Sequence, residues 1–542
     1  MTEVYVTMVL AVLATSARVL GLIFISILVG WLLAYECLKS RIFENVYIAL
    51  IEVLESVPVI SFFPIVLTIF VLDVGGPLGV EFAADFLVFT AVVWNIWIGE
   101  YQAFKTVPKE MIEVSRNFRF GFLDILRYLY IPFSVPRIAA NLFPSVSDGF
   151  FYITVSEVFT VGVHTYETFG VGTLLVKYTI SGLWGDVAAL LAILGIAIIL
   201  IIVGLRSYSK HAVAKYTLDT DMPIVRRGRL KYVESLRMSA RSAVNPFSRL
   251  AKYNRERRNR DSGFQDRYYE EPKEKGHIYI LGIIGLVLLA LLLYGGLRIV
   301  MHVSYAEWAY LFRETPDLIV DLLYDYLRVG IIVAVSFTFA IFVGYHLATN
   351  RRAESVGVPV IQTFSAYPVP TYFPFLFLAI VPFITSFFGF LADEFFVLAL
   401  GFISTFYYVF YSYWMGIKAM PSEYHELMRN LNLGYFQRLR YVIMPSTFPY
   451  LISGVSSTIN SAWGGLMIGE YWPDIIGDHS IVIQHGLMKV IDVATASGNI
   501  DLAAWASLLF GMVVVVYSLL FTRKMMDLAR KKYVAEEGIF SA

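Results

Sequence analysis

Cysteine and charge are what this sequence has least of. A single cysteine, Cys37, in 542 residues excludes an intramolecular disulfide framework and any metal centre built on cysteines. The eight histidines are scattered and show no metal-ligand spacing. Charged residues make up 16% of the chain, against about a quarter in ordinary soluble domains. No Gly-Lys dipeptide occurs anywhere, so the phosphate loop G-x-x-x-x-G-K-[ST], whose lysine neutralises nucleotide phosphates, is absent. There is no G-x-S-x-G nucleophile elbow either. Such a chain is expected not to be an enzyme and to bind no cofactor or metal of its own. What it has in excess is apolar surface: 58% hydrophobic and 16% aromatic residues, with a mean hydropathy of +0.65. That composition reads as a multi-pass membrane protein.

Apolar stretches long enough to cross about 30 Å of hydrocarbon, roughly 20 residues of helix, lie near 7–35, 46–72, 86–104, 133–159 and 187–205. They resume near 278–300, 318–348, 355–385, 394–416, 446–472 and 501–522, which makes eleven. Backbone in lipid must satisfy its own hydrogen bonds, so runs of this length are expected to be helices and the fold an all-α membrane protein. The N-terminal run lacks a basic leader and continues past residue 30. It therefore reads as a retained first span, not a signal peptide. Lys and Arg assign the sides: Lys39, Arg41, Arg351, Arg352, Arg523, Lys524, Arg530, Lys531 and Lys532 fall together, while Asp73, Glu81, Asp85, Glu307, Glu314, Asp393, Glu394, Asp474 and Asp478 fall opposite. The N-terminus is expected outside and the C-terminus in the cytoplasm of a cell-membrane protein.

One stretch occurs twice. PKEMIEVSRNFRFGFLDILRYLYIPFSVP at 108–136 and PSEYHELMRNLNLGYFQRLRYVIMPSTFP at 421–449 superpose at a constant offset. The match pairs Glu113 with Glu426, Arg116 with Arg429, Asn117 with Asn430, Gly121 with Gly434 and Pro132 with Pro445. Each copy reads as a short amphipathic helix, a break, and a second helix leading into a proline. Asn432 tolerates a left-handed backbone, Gly121 and Gly434 are expected to supply positive φ, and Pro132 and Pro445 to start the next span. Further matches are VPVISFFP at 57–64 with YPVPTYFP at 367–374, Glu157 with Glu470, Lys177 with Lys489, and GDVAALLA at 185–192 with IDLAAWAS at 500–507. Five spans precede the centre and six follow it, so the extra one at 278–300 returns the second five-helix unit to the orientation of the first. Both polar islands then face the cytoplasm.

Residues 206–276 hold eighteen Lys or Arg against nine Asp or Glu, with runs such as RRGRLK and RERRNR. No nucleic-acid-binding pattern accompanies them. The segment reads as a cytoplasmic linker on acidic lipid headgroups.

The islands resemble the EAA loop of permease subunits in binding-protein-dependent ABC importers: Glu113 to Pro132 and Glu426 to Pro445 span nineteen residues each, the spacing of that loop. The five-helix unit around each loop is similar to the core of the type I importer permeases, and the resemblance covers nearly the whole chain twice. It implies two parallel permease units, 1–206 and 317–542, joined by a basic linker at 207–276 and an extra transmembrane helix at 277–316. It also implies that Glu113, Arg116, Asn117 and Gly121, with Glu426, Arg429, Asn430 and Gly434, couple to two separate ATPase subunits that use ATP and Mg, and that an extracytoplasmic solute-binding protein delivers the cargo. The chain departs from the family in Val114 and Ser115, or Leu427 and Met428, where two alanines are usual, and in Arg119 and Asn432, where glycine is usual.

Glu157 and Glu470 fall near the outer ends of their helices, where a carboxylate is expensive unless it meets water or a cavity. They are candidates for an outer gate or for the solute pathway, with Lys177 and Lys489 beside them. Arg18 and Arg328 are expected to snorkel to the outer interface. SEVFTVG and IGEYWPD look like the nitrate, sulfonate and taurine branch, which implies a small anionic cargo. Fused permeases for iron or thiamine leave a cation open. An ion-coupled secondary transporter predicts inverted repeats instead, and a membrane scaffold requires no duplicated loop.

Overall fold

A computed structural model describes residues 2–56, 59, 66–118, 120–161, 164–216, 301, 303–418, 420, 422–476, 479–517, 520 and 524–525. Most of the basic linker, the span expected at 278–300, all of the match at 57–64 but Val59, and Arg119 lie outside these. Among the described residues, six helical stretches are long and apolar enough to cross a membrane: Glu3–Lys39, Gly76–Lys105, Trp184–Ser209, Tyr305–Thr349, Val369–Lys418 and Ile500–Tyr517. The fifth comprises two helices, Val369–Phe388 and Ala392–Lys418, that turn at Gly389 with φ of 56°. The helices Ile131–Ser156 and Phe448–Gly469 carry more Ser, Thr, Asn and Pro, and Tyr152 of the first reaches Gly464 of the second.

The repeat extends through the whole order of elements. In each half a long first helix (Thr2–Lys39, Tyr305–Phe339) leads to a second helix (Arg41–Ser56, Arg351–Ala366). The boundary is set by a side-chain cap at equivalent positions: the Ser40 hydroxyl accepts from Phe43 N at 3.3 Å, and Asn350 Oδ1 from Arg352 N and Ala353 N at 3.1 and 3.3 Å. A later helix (Gly76–Lys105, Ala392–Lys418) then precedes the polar island. After the island come the central helix, a two-stranded hairpin, a short helix (Val171–Ile180, Leu487–Ala496) and a last helix (Trp184–Tyr216, Ile500–Tyr517). The hairpins, β1 (Val158–Val161) with β2 (His164–Glu167) and β3 (Tyr471–Ile476) with β4 (His479–Val482), are antiparallel. Sequence reading missed both because each falls at the end of an apolar run.

The second hairpin is longer than the first, which shifts every later equivalence. The positive-φ glycines Gly182 and Gly498 coincide, and the buried faces Val187, Leu190, Leu194, Ile198 and Ala503, Ala506, Phe510, Val514 follow in step. Gly185 is therefore equivalent to Asp501 and not to Ile500, and Lys177 to Val493 and not to Lys489.

Each half contributes to the core of the other. The second helix of each half packs on the last helix of the other: Arg41–Ser56 meets Ile500–Tyr517, and Arg351–Ala366 meets Trp184–Tyr216. Tyr367 Oη donates to Leu191 O at 2.6 Å. Ala366 is buried in the first half's core and Phe151 in the second's. In lipid, where apolar burial gives no contrast with the solvent, close approach of small residues supplies the packing. A side chain at Gly465 would strike the Gly401 backbone, and one at Gly454 the backbone of Val409.

Candidate functional site: two elbows, two outer clamps and the cavities between the halves

Each polar island folds as a short helix, Lys109–Asn117 or Ser422–Asn430, an elbow, and a second helix that runs into the central span. The inner face is apolar: Met111 and Ile112 pack on one core cluster, Tyr424, Met428 and Leu433 on another. The outer face carries Glu113 and Asn117, or Glu426, Arg429 and Asn430, all exposed. Arg116 is helical like its equivalent. The second elbow ends its helix in a Schellman motif, with Leu433 N donating to Met428 O at 3.2 Å and Asn432 N to Arg429 O at 3.1 Å. Asn432, at φ of 46°, is the non-glycine residue in the left-handed region among those described. The first elbow has the equivalent long bond, Phe120 N to Ser115 O at 3.2 Å.

Gly121 and Gly434 do not supply positive φ. Their φ values are −75° and −68° with extended ψ, and both open the second helix, where Gly121 O accepts from Ile125 N and Gly434 O from Arg438 N at 2.9 Å. The reversal of direction is already made at the preceding turn. Nor do the prolines start a helix from a loop. Leu126–Tyr130 and Leu439–Ile443 form π-helical turns just before Pro132 and Pro445, so each proline follows a shifted hydrogen-bond ladder that its missing N–H tolerates.

Four apolar side chains are exposed at equivalent positions on each elbow: Val114, Phe118, Leu123 and Tyr128 on the first, Leu427, Leu431, Phe436 and Tyr441 on the second. Beside each elbow sits an ion pair that sequence reading missed. Lys105 Nζ meets Glu44 Oε1 at 2.5 Å and Tyr101 Oη donates to the same oxygen at 2.6 Å. Lys418 Nζ meets Glu354 Oε2 at 2.8 Å and Trp414 Nε1 donates to Glu354 Oε1 at 3.2 Å. Burial pulls the Glu44 carboxyl upward, but the hydrogen bonds from Lys105 and Tyr101 and the charges of Lys105 and Arg41 outweigh it and hold Glu44 below the usual carboxylate range. The helix feeding each elbow is thereby tied to the second helix of its half.

Glu157 and Glu470, each fully buried, are the centres of two clamps at the far ends of the central helices. Each closes its hairpin: Glu157 O accepts from Thr168 N at 2.9 Å and Glu470 O from Ile483 N at 3.3 Å. Arg18 bridges Glu157 at 3.2 Å and also Glu81; Arg328 bridges Glu470 at 3.3 Å and Glu394 at 2.6 Å. Glu157 Oε2 accepts from Gly172 N at 2.6 Å, and Glu470 Oε2 from Lys489 N at 3.1 Å. A Cβ on Gly170 or Gly486 would fall on the respective carboxylate. The arginines therefore do not snorkel: Arg328 is 4% exposed, because carboxylates on neighbouring helices give it a better partner than the interface.

The clamps differ at two positions. Thr15 donates to Glu157 Oε1 at 2.6 Å and accepts from Val171 N at 3.0 Å. Asp325 stands in its place, accepting from Leu487 N and Arg328, both at 2.9 Å. Lys489 occupies the position of Thr173: its Nζ donates to Ile483 O at 2.7 Å, as the Thr173 hydroxyl donates to Thr168 O. Lys177 is exposed on the short helix. The expected Lys177–Lys489 pair is thus one loop anchor and one surface charge.

Among the described residues, cavities open between the halves that neither Glu157 nor Glu470 lines. One, of about 250 Å³, is walled by Leu87, Tyr152 and Phe159 from the first half and Met467, Trp472 and Asp492 from the second, among others. A second, of about 50 Å³, shares Val59 and Tyr152 with it and reaches Asn95, Asp148, Tyr408, Asn460 and Ser461. Tyr408 Oη donates to Asp148 Oδ1 across the boundary.

Comparison with known proteins matches these features as a pair. The family model described as "Binding-protein-dependent transport system inner membrane component" fits residues 26–214 and again 336–531. The putative aliphatic sulfonates transport permease protein SsuC of Bacillus subtilis (strain 168) is 25% identical over 130 residues, 24% of this chain. That alignment spans 44% of the relative's own length. With two copies of the family's unit covering most of its length, each with its elbow and hairpin, this chain belongs to the binding-protein-dependent transport system inner membrane components.

Proposed function

We propose that the chain is a fused, pseudo-dimeric permease of an ABC importer, carrying a small solute across the cell membrane by alternating access. Two separate ATPase subunits, using ATP and Mg, drive it through the elbows, and an extracytoplasmic binding protein delivers the cargo. The observation that carries this reading is the doubling of the elbow surface. Each copy offers exposed glutamates at equivalent positions, Glu110 and Glu113 or Glu423 and Glu426, with the same four exposed apolar side chains on the same elbow. Apolar groups gathered at one place on a surface mark a docking site, and two equivalent sites ask for two equivalent sockets. Closing the ATPases would move the elbows together, and the elbows are continuous with the central helices that bound both cavities. The name of the sulfonate relative suggests a small organic solute that carries an anionic group.

The test is purification of the full chain from native membranes under ATP-trapping conditions. An ATP-hydrolysing subunit at two copies per chain is expected. Replacing one glutamate on each elbow, Glu113→Ala with Glu426→Ala, should abolish its recovery and solute-driven ATP hydrolysis while the chain stays monodisperse. Undiminished recovery and transport in the double variant would falsify the assignment.

A further inference from the structure

The cavities between the halves have a chemistry of their own. Their walls carry the carboxyl side chains Glu55, Asp148 and Asp492, and among the described residues neither is lined by Lys or Arg. The larger one is aromatic, with Tyr152, Phe159, Tyr471 and Trp472 around it. A cavity that pairs ring faces with carboxylates and excludes cationic side chains attracts positive charge and repels anions.

This arrangement exists once, although the frame is doubled. Ser461 is the equivalent of Asp148, Tyr408 of Asn95, and Gly465 of Tyr152. On the short helices, Val176 is the equivalent of Asp492. The elbows and clamps keep their glutamates and the clamps their arginines in both halves, whereas each of the cavity wall's carboxylates stands in one half only. Tyr152 projects against the second half, where a side chain at Gly464 would meet its hydroxyl. Burial pushes the Asp492 carboxyl well above the usual range, and among the described residues no hydrogen bond or cation offsets it. An arriving cation supplies that offset.

We infer that the paired cavities form a solute site for the positively charged head of a small organic cation or zwitterion, held between Asp148 and Asp492 against the rings of Tyr152 and Trp472. The site rests on the permease reading and sets its substrate class: a bare anion does not fit, and an aminosulfonate fits ammonium first. Asp148 is held in place by the Tyr408 hydroxyl, so its charge is presented from the boundary between the halves, the place that alternating access opens to each side in turn.

The site can be tested without any ATPase, on the full chain in nanodiscs, by following tryptophan emission during titration with tetramethylammonium chloride or sodium methanesulfonate. Tetramethylammonium should give a saturable change that disappears in Trp472→Phe, and methanesulfonate none. Asp148→Asn and Asp492→Val should each weaken the cation's binding by about tenfold or more, the scale of a desolvated cation contact. Asp148→Ser combined with Ser461→Asp returns a carboxylate to the same boundary and should restore part of the affinity. If Asp148→Asn does not purify as a monodisperse chain, Asp492→Val, which only copies the first half's residue, carries the test. The inference is overturned by saturation with methanesulfonate instead, by unchanged cation affinity in the aspartate variants, or by no saturable change with either probe. Those outcomes leave ATPase recovery at the elbows untouched, and loss of that recovery leaves these titrations unaffected.

Discussion

Arg18 and Arg328 occupy the same place and face different problems. Around Arg18, Glu81 is about one-third exposed, and buried Glu157 keeps donors from Thr15 and Gly172. Around Arg328, both Glu470 and Asp325 are fully buried, and the threonine that donates a proton in the first clamp is replaced by a second acceptor. Removing one partner of a buried ion pair costs about 3–5 kcal/mol because the survivor is stranded. Arg328→Ala should lose stability on that scale and Arg18→Ala clearly less, read as the difference in apparent thermal midpoint of the purified chain in detergent. Equal losses would show that the Thr15 hydroxyl does not share the load. The pairing of Glu157 with Glu470 was legible in the sequence from spacing alone. Their arginine partners were not, because an arginine near a helix end is ordinarily explained by the interface, and only the fold brings residues 18, 81 and 157 together.

At the scale of the element, the elbow shows how far turn chemistry can be read. The break and the tolerance of Asn432 for a left-handed backbone followed from residue type. The role given to Gly121 and Gly434 did not, since a glycine near a helix end serves equally as the C′ residue of one helix or the opening residue of the next. The two positions now separate cleanly. A left-handed conformation costs a residue with a Cβ about 1–2 kcal/mol, a penalty asparagine partly escapes through its short polar side chain. Asn432→Gly should therefore hold or raise the thermal midpoint, Asn432→Ala should lower it by about that energy, and Gly434→Ala should leave it unchanged or raise it. A Cβ at Gly434 finds only Gln437 nearby, at 3.6 Å. A larger loss from Gly434→Ala than from Asn432→Ala, by the same melting measurement, would mean that the reversal is made at the glycine after all. The hairpins were invisible for a different reason: four-residue strands such as Val158–Val161 at the end of an apolar helix carry no periodicity distinguishable from the helix itself.

On the scale of the whole molecule, duplication was legible and exchange was not. The two islands fixed the repeat because polar residues in a constant register are rare in an apolar chain. That the second helix of each half packs on the last helix of the other leaves no mark in sequence spacing. Orientation remains an argument from parity. Two units of five spans face the same way only if an odd span joins them, and that span, expected at 278–300, lies outside the described residues. The single buried cysteine makes the argument testable, because Cys37→Ala gives a background free of thiols. Cysteines placed at Glu113 and at Glu426, both exposed, should react with a membrane-impermeant maleimide from the same side, the cytoplasmic one. A cysteine at exposed Glu167, beside the first hairpin's closing end, should react from the other side. Labelling of the two elbows from opposite sides would make the halves inverted repeats, remove the linking span, and leave a single elbow for a cytoplasmic ATPase. Labelling from one side requires the odd span, and with it two docking sites on one chain.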